Sequence, residues 1–368
     1  MSTNQNNYSN HNYFMSLALL QANIMLGNTK QNPSVGCVIV KNNNIISAGA
    51  TSFNGRPHAE ANAINFSKHN LKNTNIYTTL EPCSHYGETP PCVNKIIARK
   101  IKRVFFSIND PDKRSYKKSN IYLSKKGILV KKGIMNKEIN FFYKSYFNFK
   151  KKDFPFVTSK IAVSRDFYTI NRENDNWITN RYSRGRVHLL RSSHDCIVTS
   201  SETIIKDNPS LNCRIKGIEN RSPVRIVLDK NLRISIKSKI LRLNKHSKTI
   251  VFYNKSNDKK IALLKNLNVK MIKISLDKNS NLDLFLVLKK IKQKGFSRVF
   301  LECGVSLTYQ FFKNNLIDDF KLFISKNDLG KSGGGSFKNT FTTFLNRKKG
   351  NVEKVNLLGD KLISYQIK

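Results

Sequence analysis

A chain of 368 residues with 39% hydrophobic and 10% aromatic residues is long enough for two or three domains and too apolar for a disordered polypeptide. Its 65 Lys and Arg against 24 Asp and Glu give a formal charge of +41, but the lysines run along the whole length rather than in one arm. That spread argues against a dedicated nucleic-acid footprint and leaves a surface that attracts anionic substrates.

Residues 1–12 are polar and Asn-rich, read as an unstructured lead-in, and lack the apolar core of a secretory signal. No run of about 18 apolar residues could span a membrane. The six cysteines therefore read as metal ligands or buried small side chains in a reducing cytoplasm, not as disulfides.

In chain order, residues 13–26 carry apolar side chains at helical spacing. Val35–Val40 is a buried strand, Asn42–Asn44 a turn and Ile45–Ala50 the hairpin partner. A helix over 59–68, a strand over 76–80, a helix over 92–100 and a strand over 104–108 follow. This alternation predicts a layered α/β domain with a largely parallel sheet. The Lys cluster and Pro155 in KSYFNFKKKDFPF mark a junction, placing domains at 1–152 and 153–368. The second part again alternates, with strands expected at 157–163, 196–199, 224–228, 249–253, 269–274 and 299–302. Helices are expected at 181–191, 283–294 and 306–314. Neither a P-loop nor a GxGxxG fingerprint occurs, and Gly333-Gly334-Gly335 reads as a flexible surface turn.

The first part carries a metal constellation. His58-Ala59-Glu60 opens a predicted helix, Glu81-Pro82-Cys83 follows a strand, and Cys92 opens the next helix. Two thiolates and one imidazole leave a fourth tetrahedral position for water, which zinc brings to a pKa of about 7. Glu60, two residues past His58, can reach that water without ligating the metal and act as the proton shuttle. An H-x-E followed by P-C-x-x-C marks zinc nucleobase deaminases. Here the second spacing is stretched to the eight residues SHYGETPP, which add a wall beside the pocket with His85 as a candidate substrate contact. Asn32-Pro33 fits as a substrate-facing turn.

The runs NPSVGCVIV, PHAEANA and TLEPCSHYGETPPC together resemble the family of bifunctional riboflavin-biosynthesis proteins. In that family a diaminohydroxyphosphoribosylaminopyrimidine deaminase precedes a 5-amino-6-(5-phosphoribosylamino)uracil reductase. The resemblance implies a cytidine-deaminase-like α/β/α sandwich followed by a dihydrofolate-reductase-like α/β domain. It also implies zinc on His58, Cys83 and Cys92, NADPH in the second domain, and a phosphorylated pyrimidine as substrate. The implied setting is a cytoplasmic homo-oligomer with no nucleic-acid or membrane partner.

Motif by motif, the KxAxS strand is Lys160-Ile161-Ala162-Val163-Ser164, placing Ala162 at the cofactor and Lys160 near the substrate ribose. Trp177-Ile178-Thr179 puts Trp177 against the cofactor. The stretch TSSETIIKDNPSLNCR puts Thr203 and Asp207 at NADPH and Leu211 and Arg214 at the substrate. Arg191 is expected at the substrate phosphate, which its planar fork suits. Glu302-Cys303-Gly304 supplies a substrate contact in Glu302 and a cofactor contact in Gly304. The chain departs from the family at Ser164-Arg165-Asp166-Phe167, where S-L-D-G is usual, and at Asp175, which stands where a substrate-binding Ser is expected. A tRNA-type adenosine deaminase with an accessory domain shares the HAE and PC motifs. The wide cysteine spacing and the second half's reductase motifs weigh against it.

Overall fold

The computed structural model describes residues 3–368 apart from 173–176, 243–247, 256–257 and 347. The chain divides into two compact units, Met1–Lys152 and Asp153–Lys368.

In the first unit α1 (Thr3–Ile24) begins well before the expected start at residue 13, so the polar lead-in is helical. Tertiary contacts explain this. The His11 ring lies 4.5 Å from the Phe105 ring, and its Nδ1 is 2.9 Å from the Tyr77 hydroxyl. Next come β1 (Gly36–Lys41) and β2 (Asn44–Ala50). They form the expected hairpin, and Asn42 and Asn43 at φ 49° and 61° suit its two-residue turn. A Cβ on Gly36 would sit 1.8 Å from the Ala18 carbonyl oxygen, so only glycine lets α1 settle on β1. The rest comprises α2 (Ala59–Phe66), β3 (Asn75–Leu80), α3 (Cys92–Ala98), β4 (Arg103–Ile108), α4 (Lys118–Ser124), β5 (Leu129–Lys132), α5 (Asn136–Phe142) and α6 (Lys144–Lys151).

The sheet order is β2-β1-β3-β4-β5, with β3, β4 and β5 parallel and β1 antiparallel to both its neighbours. The sheet is therefore mixed, not largely parallel. Nearly every residue of β1, β3 and β4 is buried, as strands covered on both faces must be.

The second unit opens with β6 (Phe156–Val163), β7 (Tyr168–Asn171) and α7 (Arg181–Ser192). Then follow β8 (Cys196–Ser200), α8 (Ser201–Asp207), β9 (Val224–Leu228), α9 (Lys239–Arg242), β10 (Thr249–Tyr253), α10 (Asp258–Asn266) and β11 (Lys270–Lys273). The chain ends with α11 (Leu284–Gln293), β12 (Arg298–Leu301), α12 (Val305–Lys313), β13 (Asp319–Ile324), β14 (Gly333–Ser336), α13 (Phe337–Leu345), β15 (Gly350–Val352) and β16 (Lys361–Gln366).

Nine strands make one sheet in the order β11-β10-β9-β8-β12-β6-β13-β16-β15. It is parallel from β11 to β13 and antiparallel beyond. Alternate residues serve opposite cores: Ile226, Val299 and Leu301 pack on one face, Val227 and Phe300 on the other. All six strands and three helices expected from sequence are present.

β7, α8, α9 and α10 were not expected, nor were the elements within residues 316–366. β13 reads poorly as a strand because Asp319 and Lys321 interrupt it, yet Lys321 is satisfied internally by Asp319 at 3.2 Å and Glu353 at 3.0 Å. The triple glycine is not a loose turn but β14, paired antiparallel with β7. A Cβ on Gly333 would lie 2.3 Å from the Tyr168 ring, so the glycine makes room for that aromatic.

Candidate active sites

His58 occupies the N-cap of α2 in extended conformation, Cys83 lies just beyond β3, and Cys92 is the first residue of α3. His58 Nδ1 is 3.5 Å from each sulfur, and the three ligand atoms lie within 4.8 Å of one another. A nitrogen and a sulfur on one tetrahedral zinc stand about 3.6 Å apart. The triad therefore fits zinc in spacing and in donor chemistry. Glu60 stands in the first turn of α2, only 3% exposed. Burial, with the Cys83 sulfur beside it, pushes its carboxyl up to about 7. Hydrogen bonding from Cys92, then from His58, lowers the Cys83 thiol.

The insert between the cysteines is held at both ends. Arg56, two residues before His58, pairs with Glu88 at 3.0 Å and donates from Nη1 to Thr89 at 2.7 Å. His85 Nδ1 is 2.7 Å from the hydroxyl of the buried Ser115. Asn32 packs over Gly55, close in sequence to His58.

Sequence reasoning missed the organiser of this edge. The Glu81 carboxylate is buried and accepts four hydrogen bonds, from the amides of Asp110, Lys117 and Ser119 and from the Ser119 hydroxyl, at 2.9–3.2 Å. It thereby holds the segment 109–119 that carries Ser115. Its place in the EPC tripeptide was the only available signal.

The second unit gathers another polar group at the carboxyl edge of its sheet. Arg191 donates from Nε to Glu302 Oε2 at 2.9 Å and from Nη2 to Oε1 at 2.8 Å, with Arg191 only 8% exposed. Its Nη1 donates to the Asn212 carbonyl at 3.0 Å. Although burial favours the neutral acid, Arg191 and then Lys160 hold the Glu302 carboxyl below its usual value. Burial pushes the Lys160 ammonium down. Leu211 is buried at φ 51°, and Arg214 bonds the Asn212 side chain at 3.2 Å. His188, one turn before Arg191, was not anticipated. Its Nδ1 is 3.0 Å from the Asn212 carbonyl, and burial followed by the charges of Arg191 and Arg214 brings its pKa down to about 4.

Ala162, Thr203 and Gly304 belong to the ends of three neighbouring parallel segments, β6, β8–α8 and β12–α12. Gly304 is the N-cap of α12, without a side-chain cap, and a Cβ there would meet nothing within 4 Å. Open space before a helix N-terminus at such an edge fits an anionic dinucleotide. Asp207 lies exposed one turn beyond Thr203 on α8. Trp177 is 59% exposed beneath the Arg184 guanidinium, 4.4 Å from its ring centroid. Asp175 lies outside the described residues.

The altered S-R-D-F stretch forms a built turn. Phe167 sits at φ 69°, its ring stacked 6.2 Å from that of Phe337. Asp166 accepts from the amides of Leu329 and Gly330, and Arg165 pairs with Asp328.

These features define a two-unit enzyme, a zinc-dependent deaminase followed by a nicotinamide-dependent reductase. Residues 8–108 match the family model of the cytidine and deoxycytidylate deaminase zinc-binding region, and residues 155–355 match that of the RibD C-terminal domain. The chain is 33% identical to the riboflavin biosynthesis protein RibD of Bacillus amyloliquefaciens over 315 residues, covering 85% of this chain and 84% of that one. It is 32% identical to the Aquifex aeolicus protein of the same name over 357 residues, 96% and 97% of the two chains. Among solved structures, Acinetobacter baumannii RibD superposes with a TM-score of 0.82 at 27% identity, covering 98% of this chain and 99% of that one. A Thermotoga maritima diaminohydroxyphosphoribosylaminopyrimidine deaminase/5-amino-6-(5-phosphoribosylamino)uracil reductase gives the same values.

The chain belongs to the RibD family, the bifunctional deaminase-reductases of riboflavin biosynthesis, which use zinc and NADPH.

Proposed function

We propose that residues 1–152 deaminate 2,5-diamino-6-(5-phosphoribosylamino)pyrimidin-4(3H)-one and that residues 153–368 reduce the resulting ribosylaminouracil to its ribityl form. The observation that carries the first half is the convergence of His58, Cys83 and Cys92 with Glu60 buried two residues away. Bound there, zinc supplies a Lewis acid beside a fourth ligand position. His58, Cys83 and Cys92 hold it. Glu60, buried two residues from His58, takes a proton from the attacking water and returns it to the departing amine. A C–O bond forms at ring position 2, the C–N bond breaks, and ammonia leaves. Asn32 and His85 orient the pyrimidine.

For the second half, NADPH would supply hydride when bound, and the protein's part is orientation and charge. Lys160, Arg191, Leu211, Arg214 and Glu302 receive the phosphoribosyl group, with Asp175 as a further substrate contact. Ala162, Trp177, Thr203, Asp207 and Gly304 face the cofactor. Arg191 is engaged by Glu302 and Asn212, so its role on this reading is to fix the carboxylate as well as to meet phosphate.

The same reading makes the protein a cytoplasmic homo-oligomer with no nucleic-acid partner. The even spread of Lys and Arg and six free thiols support it, and among the described residues no helix is long and apolar enough to cross a membrane. A tRNA deaminase gains no specific support, since the second unit matches the RibD C-terminal model.

The test is a coupled assay on the full chain. Diaminopyrimidine phosphate gives ammonia and then NADPH oxidation, and Glu60→Gln lowers ammonia release by about 10²–10⁴. Supplying the deaminated uracil restores NADPH oxidation in that variant. Undiminished ammonia release from Glu60→Gln overturns the assignment.

A further inference from the structure

The first unit contains a second cavity that the zinc chemistry does not use. It has a volume of about 410 Å³ and lies between the ends of β4 and β5 and helices α5 and α6. Small-ligand pockets run from about 300 to 1,000 Å³. Ser107 lines it, is 2% exposed, and has a hydroxyl with no hydrogen-bond partner. Buried hydroxyls are normally satisfied. This oxygen is itself covered, so a ligand atom reaches it only when the cavity wall gives.

The rest of the lining has a definite chemistry. Lys132 and Lys151 stand at its exposed rim, and neither is in an ion pair among the described residues. The neighbouring carboxylates are engaged elsewhere. Asp112 pairs with Arg114 and Lys150, and Asp110 accepts from the Tyr146 hydroxyl. Phe147 and Tyr116 add two aromatic rings, and Asn140 adds an amide. The Lys151 ammonium lies 5.9 Å from the Phe147 ring centroid and the Lys117 ammonium 5.0 Å from that of Tyr116, so cations already cover one face of each ring. Ammonium groups favour phosphate, and a phosphate that draws Lys151 off Phe147 frees that ring for a heteroaromatic one.

We propose that this cavity is a regulatory site for a compound of the nucleotide class. The phosphate lies between Lys132 and Lys151, the ring packs against Phe147 and Tyr116, and Ser107 Oγ hydrogen-bonds the ligand. The site has a physical connection to the zinc edge. Tyr116 follows Ser115, whose hydroxyl holds His85, and the same segment hangs from Glu81. On the reading that His85 orients the pyrimidine, a ligand that shifts Tyr116 changes the KM for deamination. Where that KM change reflects substrate binding, reciprocity makes substrate change the affinity for the ligand.

The probe is adenosine 5′-monophosphate, titrated into the full zinc-loaded chain with NADPH saturating so that the cofactor site is filled. Binding is expected at a single additional site, with adenosine weaker by about tenfold for want of the phosphate. The double variant Lys132→Glu/Lys151→Glu weakens that binding by about tenfold or more and leaves zinc content, NADPH affinity and ligand-free deamination unchanged. Ser107→Ala weakens it less, and both variants are first checked for wild-type unfolding curves. No binding of adenosine monophosphate at millimolar concentration, or binding that the double variant leaves intact, overturns the site. Binding without any change in the deaminase KM overturns its regulatory role.

Discussion

Arg191 and Glu302 meet fork to fork across α7 and the end of β12, both largely buried, and the pair is the electrostatic centre of the second unit. Removing one partner strands the other charge. Arg191→Met is expected to lower the stability of this unit by about 3–5 kcal/mol, while Arg191→Met/Glu302→Leu recovers much of that loss. Urea unfolding of the two variants measures it. The wild type should also weaken in acid. Glu302 has a depressed pKa, so its stabilisation is present above its ordinary value of 4.5 and is lost as pH falls through the depressed one. Glu302→Gln flattens that acid limb.

Glu81 holds the segment 109–119 by acceptance alone. Glu81→Gln turns an NH2 group toward backbone donors and should cost about 2 kcal/mol of stability in the first unit. Ser115→Ala, which frees His85 without disturbing Glu81, should raise the deaminase KM while leaving the melting curve near that of the wild type. An unchanged KM in Ser115→Ala would show that His85 does not depend on this bond.

Phe167 keeps a left-handed backbone at φ 69°, a conformation that favours glycine. For a residue with a Cβ that conformation costs about 1–2 kcal/mol, offset here by the ring between Phe337 and Lys338. Phe167→Ala keeps the strain and loses the ring, whereas Phe167→Gly loses both. The glycine variant should therefore be the more stable of the two by about 1 kcal/mol, as thermal unfolding would register. Equal stabilities would mean that the turn is unstrained.

Asp110 gives the first unit a second pH signature. Burial raises its carboxyl from 3.8 to about 6, with the Tyr146 hydroxyl as a partner. Between those values the folded chain binds the proton and the unfolded chain does not, so stability falls as pH rises from 3.8 through about 6. The effect is on the order of 3 kcal/mol. Asp110→Asn removes it, and chemical denaturation at a series of pH values tests the slope.

What was legible in the sequence was whatever local spacing controls. His58, Glu60, Cys83 and Cys92 sit at strand-to-helix junctions that short motifs announce, and β1, β4 and β9 are near-continuous apolar runs. The domain-level reading followed from the same motifs. Roles that arise only through contact were not legible. Glu81, Ser115 and His188 act through partners tens of residues away. Lys321 hides a strand because its charge is answered by Glu353, and the start of α1 was hidden because its first residues, TNQNNYSN, carry no apolar helical spacing.

The strand order of the second unit also governs how it can be assembled. β12 lies between β6 and β8, though it leaves the ribosome about a hundred residues after β8. Until Arg298–Leu301 is synthesised, β6 and the β8–β11 block each present an open parallel edge with nothing between them. A nascent chain at that length holds one half-sheet, β8–β11, with an open apolar rim, and β6 as a strand whose partners β12 and β13 are both still to come. β12 therefore does more than add a strand: its late arrival is expected to slow folding and make it concentration-sensitive.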